Sequence, residues 1–575
     1  MFSKSLDIVW RGEHRIRLYD PHTMSVGILA SAQNDKLSEN EGTSNKGALK
    51  TMTIHGKFAT RLRALGAVGV FALATAFAPA AGMAQVKGGE LIFVQGSNPP
   101  SLDGMSTSSQ ASRNINMNIY ETLYGFSEDI KPIPILAEGV EISDDGLTYV
   151  FTLRQGVMFH NGDEMNSADV KASLERYRIV GATKNLLAPV KDIEITGDYE
   201  VTFHMEEATP TFLEAFSSPR APAVIIPEED GDAEAGKNSF VGTGPYKFVE
   251  YVPDSHVTIE RFEDYSADTR SDGIDGFGGH KTAWLDKVTF RIIPEPGAQV
   301  AALEAGEVHI LEQIPMPAAR RLEDDPDIKL YENLRWAFTT FIFNLNVPPS
   351  DNVKFREAVQ VALNMEAIMA ISSEGLYTLN HRWQYEDTAY DPGQIGAEYY
   401  NQADAERAKA LLDEAGYNGE EFVILTDPNI PQHGRAAVVI AEQLNAIGIN
   451  AVINQVDWPT ALNIRMQDEG WNGWTLQMGI EPYLGPVGLI ATLASPARPH
   501  FVVPDAGLDA LYQELIKGAT VEERLETFKK IQAHLYEIFA IIKVGDSGLM
   551  HAARSNVKGF IPFRFPRVYD VWLEG

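Results

Sequence analysis

A glycine-containing string near the middle of the chain has the spacing of a phosphate-binding loop. Residues Gly231–Lys237 match the glycine and lysine positions of that motif, in which backbone N–H groups and the lysine surround phosphates. The hydroxyl residue that should follow is replaced by Asn238, and the acidic Asp232 and Glu234 would repel phosphate. We therefore interpret this string as a polar loop without phosphate chemistry.

A second string, Gly545–Gly548, has the GDSG order found around the nucleophile of serine proteases. Leu549 and Met550 follow it, and the disulfides usual in those proteases are absent because the chain has no cysteine. Nucleophilic catalysis also needs a histidine and an aspartate that the fold brings to the serine, which no string can show. Coincidence is the favoured interpretation, and a secreted serine hydrolase that uses Ser547 is the alternative from another functional class.

The other residue types that carry chemistry form no pattern. The 13 histidines are scattered, without the close pair spacing of a zinc or nickel site. The absence of cysteine excludes a disulfide framework and thiolate ligands. A net charge of −31 would repel a phosphate backbone. We therefore expect no metal, no cofactor and no nucleic-acid partner.

The length and composition indicate a soluble protein with several lobes. The chain has 575 residues, of which 44% are hydrophobic and 22% charged. A single domain usually holds about 50 to 250 residues. We expect two or three lobes with large hydrophobic cores.

An export signal is predicted near the N-terminus. Basic residues at Lys57, Arg61 and Arg63 precede an apolar run at residues 65–78, and small residues at 82–84 complete the pattern of a cleavage site. The prediction is a signal peptide at 52–84 with cleavage after Ala84 and a periplasmic protein. Residues 1–51 are predicted to be a mis-assigned or unstructured extension.

The first elements predicted downstream are strands and one capped helix. Gly89–Val94 is a short apolar run, and Leu147–Leu153 alternates with the two-residue period of a strand after a turn at Ser143–Gly146. Asn166, with Asp169 three residues later, predicts the N-terminus of a helix.

Farther along, the pattern becomes that of a βαβ unit. A helix is predicted from Asp404 as N-cap to Gly416 as the residue that ends it. A strand at 422–425, a helix from about Arg435 to Ile447 and a strand at 449–456 follow. Such alternation indicates a largely parallel sheet in an α/β fold.

Short segments in three ordered blocks run along the chain. They are Tyr120–Tyr124, Pro134–Glu138, Ser143–Tyr149 and Leu153–Gly162, then Val241–Tyr246, Leu285–Val288 and Ala302–Val308, then Phe343–Asn346, Val353–Ala358 and Asp404–Gly416. In these blocks the sequence resembles the family-5 extracytoplasmic solute-binding proteins of ABC importers, the dipeptide- and oligopeptide-binding class.

The resemblance implies an α/β fold of the periplasmic-binding-protein type, with two lobes, mixed sheets, hinge strands and an extra inserted subdomain. Lobe I would comprise 85–125, 240–335 and 545–575, the inserted subdomain 126–239, and lobe II 336–544.

The resemblance also implies a function. The protein would be the extracytoplasmic solute-binding component of an ABC importer, a binding protein and not an enzyme, that captures di- or oligopeptides between its lobes. An oligosaccharide or opine-like solute is the alternative. Its partners would be permease subunits in the inner membrane with their ATPase subunits, and the protein itself would be a monomer.

Family precedent also implies an anchor for the peptide amine. The family's pattern of a tryptophan and an aspartate three residues later falls here on Met478–Glu481. Glu481 would supply the carboxylate, with Met478 and Gly479 beside it, although glutamate is one methylene longer than aspartate and methionine replaces the aromatic ring. An ordinary solvated glutamate is the other interpretation.

The loop after the first strand resembles a family segment that approaches the ligand. Ser97 and Asn98 lie in it, and an amide at Asn98 can hydrogen-bond a ligand but cannot neutralise a cation, which argues against a lysine-rich peptide. A simple turn is the alternative.

Aromatic residues of the predicted lobe II could line side-chain pockets, although core packing is the alternative for each ring. Arg382 could meet a ligand carboxylate, or be an ordinary surface arginine. The aromatic residues are Trp383, Tyr385, Trp458, Trp471 and Trp474.

Overall fold

The computed structural model describes residues 85–428, 430–478, 485–495, 503–563 and 565–575. The predicted extension and signal peptide, residues 1–84, lie outside the described residues. All described residues fall within one compact unit, Ala80–Gly575. Within the described ranges, no helix combines the length and the apolar character that a membrane crossing requires.

The strands are numbered in chain order. They are β1 Glu90–Gln95, β2 Tyr124–Phe126, β3 Pro132–Pro134, β4 Ala137–Ile142, β5 Thr148–Leu153, β6 Val190–Gly197, β7 Glu200–Met205, β8 Tyr246–Val252, β9 His256–Arg261, β10 Ile274–Asp275, β11 Gly278–Gly279, β12 Lys287–Ile292, β13 Ile310–Leu311, β14 Ile328–Phe343, β15 Tyr377–Thr378, β16 Glu421–Thr426, β17 Asn450–Gln455, β18 Gly473–Met478, β19 Ile541–Arg554, β20 Val557–Lys558 and β21 Trp572–Leu573.

The α-helices are numbered in the same way. They are α1 Gln110–Asn116, α2 Ser167–Val180, α3 Phe212–Phe216, α4 Pro296–Glu304, α5 Met316–Arg321, α6 Val353–Ala362, α7 Met365–Ser372, α8 Ala405–Ala415, α9 Pro431–Ala446, α10 Trp458–Ile464, α11 Gly485–Ile490, α12 Ala506–Leu515 and α13 Val521–Ile538.

One mixed sheet carries many of these strands. Its order is β17-β16-β18-β14-β19-β13-β1-β12-β9-β8, with β15 beside β19. Strands β16 and β17 are parallel, as are β1 and β12, whereas β14 pairs with β18 and β19 in the antiparallel sense. The predicted α/β class with mixed sheets is confirmed.

The long strands β14 and β19 connect the two halves of this sheet. They have 16 and 14 residues and pair with each other along most of their length. The pairing is interrupted between Asn333 and Ala337, where residues 334–336 lie opposite the single residue Gly548. A bulge of this kind bends the ladder and increases its twist.

A smaller antiparallel sheet has the order β4-β5-β7-β6. Phe151 and Phe203 on this sheet have ring centroids 4.7 Å apart, and Phe212 and Phe216 of α3 stack at 5.4 Å beside them. These rings belong to one hydrophobic cluster that also contains Phe93 of β1. The small sheet and the β1 half of the large sheet therefore share a core.

The β16 half of the large sheet has a core on each face. Phe341 belongs to a cluster with Phe422 and Ile440, and Phe338 belongs to another with Trp474 and Phe528. Because Phe338 and Phe341 are three residues apart on β14, their side chains point to opposite faces.

The predicted helix ends follow local chemistry. Asn166 begins α2 in a capping box, and Asp404 begins α8, which Gly416 ends in the left-handed conformation at φ 70°. The unit β16-α9-β17 is the predicted parallel βαβ unit. Its helix begins at Pro431, before the expected Arg435, because proline suits the first helical turn, where no N–H partner is needed.

Candidate functional site

An aromatic cluster surrounds Phe338 in β14. The ring centroid of Phe338 lies 5.3 Å from that of Tyr385 and 6.3 Å from that of Trp383, both with edge-to-face geometry. Met478 of β18 is the residue paired with Phe338 across the ladder, so their side chains share one face of the sheet. Three residues singled out in the sequence thus meet around a fourth that was not.

Trp474 lies on the same face of β18, four residues before Met478. Its ring centroid is 6.0 Å from that of Trp458, and the guanidinium of Arg465 lies 5.2 Å from the ring. The side chain is buried, and its indole N–H has no hydrogen-bond acceptor among the described residues. Trp474 is therefore a packed residue that keeps one unused donor.

Arg382 is paired inside the protein. Its Nη2 lies 3.0 Å from Oε1 of Glu386 and its Nε 2.9 Å from Oδ1 of Asp391. The same Nε donates to the carbonyl of Gly393. A ligand carboxylate at Arg382 would therefore have to compete with the carboxylates of Glu386 and Asp391.

A buried ion pair fixes the loop that carries Trp383 and Tyr385. Nζ of Lys543 lies 2.8 Å from Oδ1 of Asp546, and their side chains are 0% and 4% exposed. Oδ2 of Asp546 accepts a hydrogen bond from Nδ2 of Asn380 at 2.8 Å. Nζ of Lys543 donates to the backbone carbonyl of Arg382. Strand β19 thereby holds the loop at Asn380 and Arg382, directly before Trp383.

The same lysine contacts the aromatic cluster. Its ammonium lies 3.7 Å from the centroid of the Phe338 ring, within the range of a cation–π interaction. Burial lowers the pKa of Lys543 to about 8, although the Asp546 carboxylate opposes that shift. Burial also raises the pKa of Asp546, against the effect of Lys543.

His433 and Asp427 position the end of β18. Nδ1 of His433 lies 2.6 Å from Oδ2 of Asp427, and its Nε2 accepts the backbone N–H of Gln477 at 2.7 Å. A nitrogen that accepts this hydrogen bond is unprotonated, so the imidazole is neutral and its proton is on Nδ1. Burial lowers the pKa of His433 in agreement. The residue that precedes Met478 is thereby fixed.

Ser547 lies in a buried polar network. Its Oγ is 2.7 Å from Oγ1 of Thr339, accepts from Nε2 of Gln477 at 3.0 Å and lies 3.3 Å from Oγ of Ser373. These partners, all in the described part of the chain, are hydroxyls and an amide, and none of them is a general base.

Asn98 holds a neighbouring turn. Its Nδ2 donates to Oδ1 of Asp254 at 2.6 Å, and its Oδ1 accepts the backbone N–H of Asp254 at 2.9 Å. Asp254 has a φ of 61°, so these bonds stabilise a left-handed turn between β8 and β9. The adjacent Ser97 is exposed.

A cavity of about 560 Å³ lies between the loop after β1 and the start of α9. Ser97 and Glu312 belong to one side, and Glu374, Gln432 and Arg435 to the other. Nη1 of Arg435 is 3.7 Å from Oε1 of Glu374. This volume is in the range of about 300 to 1,000 Å³ that is usual for small-molecule sites.

Glu481 and Gly479 lie outside the described residues. Phe338, Lys543 and His433 were not singled out from the sequence. A signal for Lys543 does exist, because it is a charged residue within the apolar stretch Phe539–Val544, where a lysine needs a buried partner.

Comparison with known protein families gives a match over most of the described chain. The model of the bacterial extracellular solute-binding proteins, family 5 Middle, matches residues 131–499. The chain is 27% identical over 489 residues to the probable peptide ABC transporter periplasmic-binding protein y4tO of Sinorhizobium fredii, covering 82% of this chain and 91% of that one. It is 27% identical over 383 residues to the glutathione-binding protein GsiB of Salmonella typhi, covering 64% and 70%.

Solved structures share the fold. The ABC transporter substrate-binding protein CtaP of Listeria monocytogenes superimposes with a TM-score of 0.72 at 24% identity, covering 85% of this chain and 99% of that one. The periplasmic binding protein DppA of Helicobacter pylori, solved with a peptide, gives a TM-score of 0.67 at 24% identity, covering 85% and 99%. With a family match over more than half of its length, the chain belongs to the bacterial extracellular solute-binding proteins, family 5, the solute-binding components of ABC importers.

Proposed function

We propose that this protein captures a di- or oligopeptide in a cleft between two lobes and delivers it to the permease and ATPase subunits of an ABC importer in the inner membrane. The observation that carries the peptide assignment is the 27% identity over 489 residues to y4tO, a probable peptide-binding protein of such an importer. The exported protein acts in the periplasm, after removal of the signal peptide at 52–84, as a monomer.

The proposed lobes keep the boundaries predicted from the sequence, with lobe I at 85–125, 240–335 and 545–575, the inserted subdomain at 126–239 and lobe II at 336–544. The arrangement of β14 and β19 between two halves of one sheet supports a hinge at these strands. The proposed ligand contacts are Ser97, Asn98, Arg382, Trp383, Tyr385, Trp474, Met478, Gly479 and Glu481.

The protein is proposed to bind its solute without chemical change. Ser547, the residue of the hydrolase alternative, is buried among hydroxyls and an amide, with no base among its described hydrogen-bond partners. None of these described partners could take the proton of the serine.

An opine-like solute is the second candidate. A solved structure of AgaA in complex with agropinic acid superimposes with a TM-score of 0.65 at 23% identity and covers 85% of this chain. The same fold therefore accommodates a ligand that is not a peptide.

Thermal-shift screening separates these ligand classes. A ligand that binds only the folded state raises the melting temperature, by an amount equivalent to about 2.7 kcal/mol at a hundredfold excess over Kd. We expect the secreted protein to be stabilised by short peptides, including glutathione and trialanine. Stabilisation by agropinic acid or by oligosaccharides alone would contradict the peptide assignment.

A further inference from the structure

Glu214 in α3 makes a polar contact with a distant part of the chain. Its Oε1 lies 2.6 Å from Nη2 of Arg524 in α13, and the same oxygen accepts from the hydroxyl of Tyr390 at 2.9 Å. Nε of Arg524 donates to that hydroxyl oxygen at 3.0 Å. The three side chains, named here the Glu214 triangle, are thus all in direct contact.

The triangle is anchored on one side and accessible on the other. Arg524 is 4% exposed, and its Nη1 donates to the carbonyl of Gly518 at 2.9 Å within its own half of the molecule. Glu214 is 17% exposed. The arginine is therefore fixed within its own half of the molecule, whereas the glutamate is partly open to solvent.

The two sides of the triangle belong to different hydrophobic cores. Phe212 and Phe216, which flank Glu214, lie in the core shared by the small sheet and β1. Phe528 and Ile531 of α13 lie in the core around Phe338. A rotation about the connecting strands β14 and β19 would separate these cores and break the triangle.

The triangle also borders the chain that leads out of the proposed ligand segment. A Cβ placed on Gly485 would lie 3.3 Å from the ring of Tyr390 and 3.7 Å from Oε2 of Glu214. Gly485 has a φ of 55° and begins α11, seven residues after Met478. Only glycine occupies this backbone conformation without strain so close to a ring.

We propose that the Glu214 triangle is a latch that holds the inserted subdomain against lobe II in the closed state, with or without solute, and that it positions the chain at Gly485. This inference rests on the proposed function. A contact that forms only in the closed state shifts the population towards that state and so slows release of the solute. When the lobes separate, water replaces the hydrogen bonds of these polar groups, which makes the contact reversible.

The test compares Glu214→Gln and Tyr390→Phe with a matched control. The control variant, Glu514→Gln, loses an ion pair of the same length, because Nζ of Lys530 lies 2.6 Å from Oε1 of Glu514. Both of these residues are exposed, and they lie in α12 and α13, so their pair does not connect two lobes. Stopped-flow tryptophan fluorescence with trialanine as the probe measures release. We expect release about tenfold faster from Glu214→Gln, because the amide turns a charge-assisted hydrogen bond into a weaker neutral one, and unchanged in the control.

A second measurement needs no ligand. Small-angle scattering of the unliganded protein should give a larger radius of gyration for both latch variants than for the wild type and the control. If trialanine binds to none of the proteins, the peptide assignment is at fault, and the scattering comparison alone decides the latch. Equal radii of gyration, or equal release rates where trialanine binds, would show that the triangle is not a latch.

Discussion

At the scale of single residues, the arrangement of buried charge decides how firmly the aromatic cluster is held. A lysine out of water is costly unless it is paired and hydrogen-bonded, and Lys543 meets both conditions through Asp546 and the loop carbonyl. Since Asp546 also binds Asn380, the pair fixes the loop rather than only neutralising itself. The rings of Trp383 and Tyr385 therefore keep fixed distances from Phe338.

Replacement of Lys543 by methionine should lower the free energy of unfolding by about 3 to 5 kcal/mol, because the Asp546 carboxylate would remain buried without its partner. Urea denaturation followed by tryptophan fluorescence measures the change. The double variant Lys543→Met/Asp546→Leu, which removes both charges, should recover most of the loss. A single variant as stable as the wild type would contradict the assigned role of the pair.

Some of these residues can be predicted from sequence and others cannot. The sequence predicts Trp383, Tyr385 and Met478 as ligand contacts, and all three lie around Phe338. Phe338 has no local signal that separates it from other apolar residues of its strand. The partner of Asn98 is 156 residues away in sequence, so its role in the turn at Asp254 depends on tertiary structure.

At the scale of elements, the helix ends are set by neighbouring side chains. Oδ1 of Asp404 accepts the backbone N–H of Arg407 at 3.0 Å and so satisfies a donor that the first turn of α8 leaves open. Leu411 and Leu412 of this helix pack into the core with Phe341. The cap therefore stabilises an element that the core needs.

Substitution Asp404→Ala should cost about 1 kcal/mol of stability, the usual price of losing an N-cap. Chemical denaturation should show a lower urea midpoint, whereas Asp404→Asn, which keeps an oxygen acceptor, should stay near the wild type. An alanine variant with an unchanged midpoint would mean that the cap contributes nothing to the stability of α8.

Elements that depend on nearby residues can be predicted from the sequence, whereas those that depend on distant strand pairing cannot. Caps, turns and the βαβ unit depend on nearby residues, and the structure has them where the sequence predicts them, apart from the earlier start of α9 at Pro431. The order of the large sheet could not be derived in this way, because β14 and β19 pair although about 200 residues separate them. The implied mixed α/β architecture came from family resemblance.

At the scale of the whole molecule, buried histidines link stability to pH. Burial lowers the pKa of both His160 and His551 to about 4, below the ordinary value of 6.5. Between these values the unfolded chain binds protons that the folded chain does not. The stability that these two histidines contribute is therefore complete near neutral pH, and it is lost as the pH falls from 6.5 towards about 4.

The variant His551→Gln should lose stability less steeply than the wild type in this window, because one such histidine contributes up to about 1.4 kcal/mol per pH unit. Urea midpoints measured from about pH 7 to about pH 4.5 provide the comparison. Parallel curves for the two proteins would show that His551 does not take part in the pH dependence.

The interruption between β14 and β19 has a consequence for hydrogen exchange. Residues 334–336 lie opposite the single residue Gly548, whereas the ladder continues on either side of them. Backbone amides with weaker pairing exchange with deuterated solvent faster than those in a continuous ladder. This strand pair should therefore contain a short stretch of faster deuteration, at Leu334 and Arg335, between two slower ones.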